Sequence, residues 1–200
     1  MVMLIIYMDM MDDNGYIVGL GASAGGLDSL KLFFKNLPQQ LNASYVVVTH
    51  LPVNYQTRLD IVLAGFTSLP VTLLKEAVTP QLNHVYVLPG QFKVYMKQGR
   101  LVVQERGLEP VNRTIDEFFF SLATAKKEKA IGIIFSGSGG DGAKGINEIH
   151  RNGGIVFVQD PESSAYRSMP DKAIGIDHPD KILKPDEMVK KLLNLLHQQV

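Results

Sequence analysis

The chain has 200 residues, of which 46% are hydrophobic and 20% are charged, and its 20 basic residues balance its 20 acidic ones. This length and composition are typical of a globular protein with one core, and the charge balance gives no sign of a surface for nucleic acid or membranes. The absence of cysteine excludes disulfides, a thiolate nucleophile and thiolate-bound metal, and it agrees with a cytoplasmic location.

The N-terminus reads MVMLIIYMDMMDDNG, an apolar run from Met1 to Tyr7 that is soon followed by acids. A membrane-spanning helix needs roughly 20 apolar residues, and a signal peptide begins with a basic region that is missing here. We therefore predict an N-terminal tail over residues 1–15, one domain over residues 16–200, and no insertion into a membrane.

Strands and amphipathic helices alternate in the first part of the chain. Apolar residues recur at helical spacing from Leu27 to Leu37 and again from Leu59 to Phe66. Short apolar runs predict strands at Tyr16–Leu20, Tyr45–His50 and Pro70–Leu74, and the YVVVTH run is suited to burial on both faces of a sheet.

The pattern changes between His84 and Glu105, where HVYVLPG, FKVYM and RLVVQE are separated by turn residues. This arrangement predicts a strand followed by an antiparallel hairpin. A loop is expected over Gly107–Arg113, and apolar spacing predicts a helix from Ile115 to Ala125.

The alternation then returns, with predicted strands at Ala130–Phe135 and Ile155–Gln159 and a predicted helix at Ala143–Arg151. The last helix, Pro185–Gln198, begins with proline and two acids, as helices commonly do. Alternating strands and helices predict an α/β fold in which a mostly parallel sheet is covered on both faces.

Three loops that follow buried strands carry the candidate functional residues. Ligands of open α/β sheets bind at the carboxyl ends of the strands, so these loops are expected to share one edge. The first loop, GASAG, matches G-x-S-x-G, a pattern that exposes a serine, here Ser23, on a tight turn between strand and helix. The alternative is that Ser23 only caps the following helix.

His50 ends the second strand and is the one histidine of five at the C-terminal end of a predicted central strand. A serine hydroxyl needs a neighbouring base to act as a nucleophile at neutral pH. Asp141, in the third loop SGSGGDG, is suited to orient an imidazole and stabilise its charged form. Alternatively, His50 is only a polar strand end and Asp141 only caps the next helix.

The same glycines allow a nucleotide-binding interpretation. Gly19–Ala24 and Gly137–Gly142 each satisfy G-x-G-x-x-G/A, a fingerprint that also expects an acid at the end of the next strand. The first match has His50 there, whereas the second has Asp160. The sequence contains neither the P-loop pattern G-x-x-x-x-G-K-[ST] nor a compact zinc-ligand motif such as H-E-x-x-H.

Together, GASAGG, THLP and SGSGGDGAKG resemble the catalytic domain of the protein-glutamate methylesterases, the CheB-type family of bacterial chemotaxis. The resemblance runs from about Tyr16 to the end of the chain and includes HVYVLPG. It also includes NRTIDEFFFSLA and QDPESSAYRSMP, which are closer to the methylesterase domains that are fused to receptor methyltransferases.

The resemblance implies a carboxylic ester hydrolase with a doubly wound, three-layer α/β/α fold, mainly parallel with an antiparallel hairpin. It would remove methyl esters from glutamate side chains of chemoreceptors and, as in some members, deamidate glutamine. Ser23 would be the nucleophile, His50 the base and Asp141 its orienting acid, while the backbone N–H groups of Ala24 and Ser138 would hold the oxyanion. The implied partners are a methylated chemoreceptor cytoplasmic domain and a receptor methyltransferase or separate regulator, with no nucleic acid, cofactor or metal.

Three positions depart from common family residues. Ala24 stands where the family often has Thr, Thr49 where it often has Gln, and Ser138 where it often has Met. The backbone N–H groups of Ala24 and Ser138 remain, so we expect activity to survive. The alternative function is a non-catalytic module of the same fold that docks on receptors or methyltransferases.

Overall fold

The structure, a computed structural model, describes residues 15–107, 111–176 and 178–197. The predicted tail therefore lies outside the described residues except for Gly15, as does the centre of the predicted loop Gly107–Arg113. Within the described ranges, the elements in chain order are β1 (Tyr16–Ala22), α1 (Gly26–Asn36), β2 (Ala43–Thr49), α2 (Leu59–Ala64), β3 (Val71–Leu73), β4 (Val85–Val87), β5 (Phe92–Lys97), β6 (Arg100–Glu105), α3 (Thr114–Lys126), β7 (Ala130–Ile134), α4 (Ala143–Arg151), β8 (Ile155–Gln159), α5 (Ser168–Ile176), β9 (Lys181–Leu183) and α6 (Pro185–His197).

Seven strands form one sheet in the order β3-β4-β2-β1-β7-β8-β9, and every neighbouring pair is parallel. Strands β5 and β6 form a separate antiparallel pair. From β1 the chain proceeds to β2 on one side and reaches β7 on the other, which makes the carboxyl ends of β1 and β7 the switch point where such sheets bind ligands. The predicted parallel sheet and antiparallel hairpin are both confirmed.

Helices cover both faces of the sheet. On one face, α1, α2 and α6 pack around a buried cluster that includes Phe33, Leu63 and Leu192, and on the other, α3, α4 and α5 join the hairpin around a second cluster. All seven residues of β1 and the first six of β2 are buried. Burial on both sides explains why these central strands are continuous apolar runs without alternating polar residues.

Helix α3 packs against β1 because Gly19 has no side chain. A Cβ atom at Gly19 would lie 2.7 Å from Phe119 and 2.9 Å from Phe118. The same helix contacts Gly21, where a Cβ would lie 2.7 Å from Ile115. These glycines therefore bring α3 close to the sheet, and its N-terminus to the edge where β1 ends.

Two elements were not predicted from the sequence. Helix α5 buries only Met169, Pro170 and Ala173, a stripe too narrow to produce clear helical periodicity. Strand β9 has three residues at the edge of the sheet, and two of them are exposed. The strands and helices that the sequence does predict are present, with ends that differ from the predicted ones by a few residues.

Candidate active site

The three loops predicted from the sequence meet at one edge of the sheet. Ser23 follows β1, His50 follows β2, and the glycine-rich loop follows β7, and these strands are neighbours in the sheet. Backbone hydrogen bonds join the loops: the N–H of Ser23 donates to Ser136 O over 3.1 Å, and the N–H of His50 donates to Ala22 O over 3.2 Å. The central sheet thus positions all three loops.

His50 and Asp141 are in direct contact. Nε2 of His50 lies 2.5 Å from Oδ2 of Asp141, and the two side chains are 18% and 4% exposed, respectively. Such a short, largely buried contact is typical of a strong hydrogen bond to a carboxylate. Since Nε2 is engaged by Asp141, Nδ1 is the ring nitrogen that remains to accept a proton.

Backbone amides hold the Asp141 carboxylate in place. Oδ2 accepts from the N–H of Ile115 and Oδ1 from those of Asp116 and Gly142, each over 2.9 Å. The first two amides belong to the opening turn of α3, which has no intrahelical acceptors for them. Asp141 therefore contacts His50 and caps α3, a helix distant in sequence, rather than the helix that follows it in the chain.

The helix that follows, α4, is capped instead by Asp116, whose Oδ1 accepts from the N–H of Gly145 over 2.8 Å. Burial raises the pKa of Asp116, the backbone hydrogen bond from Gly145 lowers it, and the negative charge of Asp141 raises it further. Sequence reasoning missed this residue, because an acid in the first turn of a helix is a common feature without a distinctive signal.

Ser23 and His50 line the same pocket of about 220 Å³. Its walls are mainly apolar, and no Asp or Glu is among the lining residues, which include Leu27, Leu30, Thr49, Leu51, Tyr55, Thr57, Arg58, Leu59 and Val62. Within the described residues, the Ser23 hydroxyl makes no hydrogen bond. Catalytic hydrogen bonds are often long in unliganded enzymes and tighten when substrate binds, so this geometry is compatible with a nucleophile and base that face one ligand.

Two unpaired backbone N–H groups lie beside Ser23. Neither the N–H of Ala24 nor that of Ser138 donates to any acceptor among the described residues. Ala24 follows Ser23 directly, and Ser138 follows Gly137, where a Cβ would lie only 2.9 Å from the Cβ of Ser23. Both amides thus belong to Ser23's own loop or to the loop that packs against it.

The features that suggested nucleotide binding have other uses in the structure. Gly19 lies within β1, where it allows α3 to pack, and the Asp160 side chain accepts from Glu162 N over 3.0 Å at the start of a short 3₁₀ turn. Among the described residues, no group of three or more His, Cys, Asp or Glu residues is arranged to hold a metal ion. In the same ranges, no helix is long and apolar enough to cross a membrane.

A serine, a histidine and a carboxylate, the residue types of a serine-hydrolase triad, thus lie on neighbouring loops at the switch point of a doubly wound sheet. Their order, Ser then His then Asp, differs from the Ser…Asp…His order of the α/β-hydrolases. The model of the family described as CheB methylesterase matches residues 18–192. The chain belongs to this family.

Individual relatives agree with the family match. The chain is 32% identical over 184 residues to protein-glutamate methylesterase/protein-glutamine glutaminase 1 of Pseudomonas fluorescens, covering 90% of this chain and 54% of the relative. It is also 32% identical to protein-glutamate methylesterase/protein-glutamine glutaminase 3 of Pseudomonas aeruginosa, and this match covers 88% of this chain and 53% of the relative. The chain thus spans about half the length of the curated relatives it matches.

A solved structure covers nearly the whole fold. The crystal structure of the Thermotoga maritima CheB methylesterase catalytic domain superimposes with a TM-score of 0.83 at 29% sequence identity. The match covers 91% of this chain and 99% of that domain. This chain therefore matches the Thermotoga maritima catalytic domain over nearly the whole length of that domain.

Proposed function

We propose that this chain hydrolyses methyl esters of glutamate side chains on the cytoplasmic domains of chemoreceptors and that it acts in the cytoplasm. The observation that carries the proposal is the 2.5 Å contact between His50 Nε2 and the buried Asp141 carboxylate, at the pocket that Ser23 also lines. The names of the relatives, protein-glutamate methylesterase/protein-glutamine glutaminase, supply the substrate class.

In the proposed reaction, Ser23 Oγ attacks the ester carbonyl carbon while Nδ1 of His50 accepts the hydroxyl proton. Asp141 holds the imidazole and stabilises its positive charge. The N–H groups of Ala24 and Ser138 donate to the oxyanion of the tetrahedral intermediate. Collapse breaks the bond to the methoxy group, which takes the proton from His50 and leaves as methanol, and water then hydrolyses the acyl-enzyme by the same steps in reverse order.

The pocket suits an uncharged side chain of this size. Apolar walls that include Leu27, Leu30 and Val62 can contact the methylenes and the methyl group of a glutamyl ester. A glutamine side chain has nearly the same shape and would form the same acyl-enzyme with ammonia as the leaving group, so deamidation is part of the proposal. A receptor methyltransferase or a separate regulator is the proposed second partner.

The test is methanol release from a purified, methylated chemoreceptor cytoplasmic domain. We expect release by the wild-type chain, none above background with Ser23→Ala, and near wild-type release with Ser138→Ala, which keeps the backbone N–H. A fluorophosphonate, which phosphonylates activated serines, should label the wild type and spare Ser23→Ala. Labelling without methanol release would show a serine hydrolase with another substrate.

The second candidate function, a docking module without turnover, predicts receptor binding with neither labelling nor methanol release. The buried His50–Asp141 contact favours the enzyme over this alternative, as do the N–H groups of Ala24 and Ser138, for which the described residues offer no acceptor.

A further inference from the structure

The glycine-rich loop after β7 is attached to the segment that opens α5. The N–H of Gly137 donates to Tyr166 O over 2.9 Å, and Gly137 O accepts from the Ser168 hydroxyl over 3.1 Å and from Met169 N over 3.0 Å. The N–H of Gly139 donates to the same Ser168 hydroxyl over 3.1 Å. The Ser168 hydroxyl thus bridges the two residues on either side of Ser138.

These contacts control one peptide plane. Gly137 C=O and Ser138 N–H belong to the same trans peptide unit, so they point in opposite directions. Because two donors at the start of α5 hold the carbonyl, the N–H of Ser138 points away from α5, and no acceptor for it lies in the described part of the chain. Hydrogen bonds to a carbonyl also polarise its peptide unit, which makes the N–H a better donor.

Gly139, the residue after Ser138, has few restraints from packing. Gly139 adopts a φ of 90°, and no atom lies within 4 Å of the position a Cβ would take there. Packing therefore does not fix this residue, and its hydrogen bond to Ser168 is the restraint that the structure provides.

A hydrogen bond to the preceding carbonyl also fixes the peptide plane of the Ala24 amide. Ser23 C=O accepts from Gly26 N over 2.9 Å, which fixes the peptide plane whose N–H belongs to Ala24. The Ser136 hydroxyl lies 3.1 Å from Ala24 O and accepts from Tyr166 N over 2.9 Å. The segment from Tyr166 to Met169 is thus bonded directly to the loop that carries Ser138 and, through the Ser136 hydroxyl, to the loop that carries Ala24.

We infer that Ser168 is a positioning residue that aims the Ser138 N–H at the oxyanion, an inference that rests on the proposed function. Without its hydroxyl, Met169 N still holds the Gly137 carbonyl, but the Gly137–Ser138 plane loses one of its two donors and Gly139 loses its partner. The Ser138 amide then samples directions that do not meet the oxyanion. Because the oxyanion exists only after attack, the loss appears in kcat and not in substrate binding.

The experiment compares Ser168→Ala with Ser168→Thr, which keeps a hydroxyl, and with Ser121→Ala. Ser121 makes an equivalent bridge away from the site, since its hydroxyl accepts from Met96 N over 2.9 Å and donates to Phe118 O over 2.8 Å. For Ser168→Ala we expect kcat to fall about tenfold to a hundredfold, with KM within about twofold of wild type and an unchanged pH profile. Ser168→Thr should recover most of the activity, and Ser121→Ala should keep kcat even where it lowers Tm.

The rate of fluorophosphonate labelling separates this inference from the proposed substrate. It should fall in parallel with kcat for Ser168→Ala, because the phosphonyl oxygen occupies the same amide site. A folded Ser168→Ala with wild-type kcat and labelling rate would overturn the inference and leave the proposed function intact, as would a loss that Ser168→Thr does not restore. A wild-type chain that neither labels nor releases methanol would overturn the proposed function together with the inference.

Discussion

Asp116 and Asp141 cap each other's helices. The Asp141 carboxylate accepts from the backbone N–H of Asp116 in the first turn of α3, and the Asp116 carboxylate accepts from Gly145 in the first turn of α4. Only Asp141 also contacts His50. The pair therefore offers a way to separate helix capping from imidazole orientation by mutation.

We expect Asp141→Asn to lose both activity and stability. The carboxylate accepts from backbone N–H groups, and the amide would place an NH₂ group opposite some of these buried donors. Those donors would then lack an acceptor, which costs about 1–3 kcal/mol of the free energy of unfolding. The amide also favours the imidazole tautomer that cannot accept the Ser23 proton, and a loss of kcat of about 10⁴ is expected by analogy with serine proteases. Methanol release and urea unfolding measure the two effects.

The matched control is Asp116→Asn, which alters the partner cap and leaves the His50 contact in place. We expect it to change stability and to retain methanol release when rates are corrected for the folded fraction. Equal losses of activity in the two variants would contradict a role for Asp141 in orienting His50.

The raised pKa of Asp116 also leads us to expect that stability depends on pH. Burial raises its folded pKa, so the folded state binds the proton more tightly than the unfolded chain does. The stability contributed by protonated Asp116 is present below its unfolded pKa and is lost as the pH rises through the folded pKa. The free energy of unfolding of wild type relative to Asp116→Asn should therefore decrease as the pH rises above the ordinary pKa of an aspartate, about 4, as measured by urea titration, and a constant or rising difference would contradict the assignment.

The central strands could be predicted from the sequence because burial on both faces leaves an unbroken apolar run, as in β2. Ser23, His50 and Asp141 could be proposed because each lies in a loop that follows such a strand. Asp116 and Ser168 could not, because their roles depend on contacts between elements that are distant in sequence: Asp116 with Gly145, and Ser168 with Gly137 and Gly139. A hydroxyl or an acid at the start of a helix has the same local sequence whether it binds solvent or a neighbouring loop.

Gly19 is expected to be a packing residue. In Gly19→Ala, the new methyl group would meet Phe118 and Phe119 at less than van der Waals distance, and overpacking of this kind lowers the free energy of unfolding by about 1–3 kcal/mol. Gly175→Ala is the control, since nothing lies within 4 Å of its Cβ position in α5, and alanine there should stabilise the protein by up to about 1 kcal/mol.

The Gly19→Ala variant also tests the nucleotide-binding alternative. If Gly19 contacted a bound nucleotide, NAD or ATP would raise the unfolding midpoint of wild type and not of Gly19→Ala, whereas we expect no shift with either protein.

The contact with Asp141 determines the expected tautomer of neutral His50. Because Nε2 lies against a carboxylate that can only accept, neutral His50 should carry its proton on Nε2 and leave Nδ1 unprotonated. That tautomer is required for the proposed reaction, since a protonated Nδ1 could not take the proton of Ser23. ¹⁵N NMR of the unliganded protein distinguishes the two nitrogens, and His50→Ala identifies the His50 signals among those of the five histidines. We expect Nε2–H in the wild type and a shift toward Nδ1–H in Asp141→Asn, where the amide NH₂ can donate to Nε2. A wild-type His50 with its proton on Nδ1 would rule out this direction of proton transfer, even in an enzyme that Ser23→Ala inactivates.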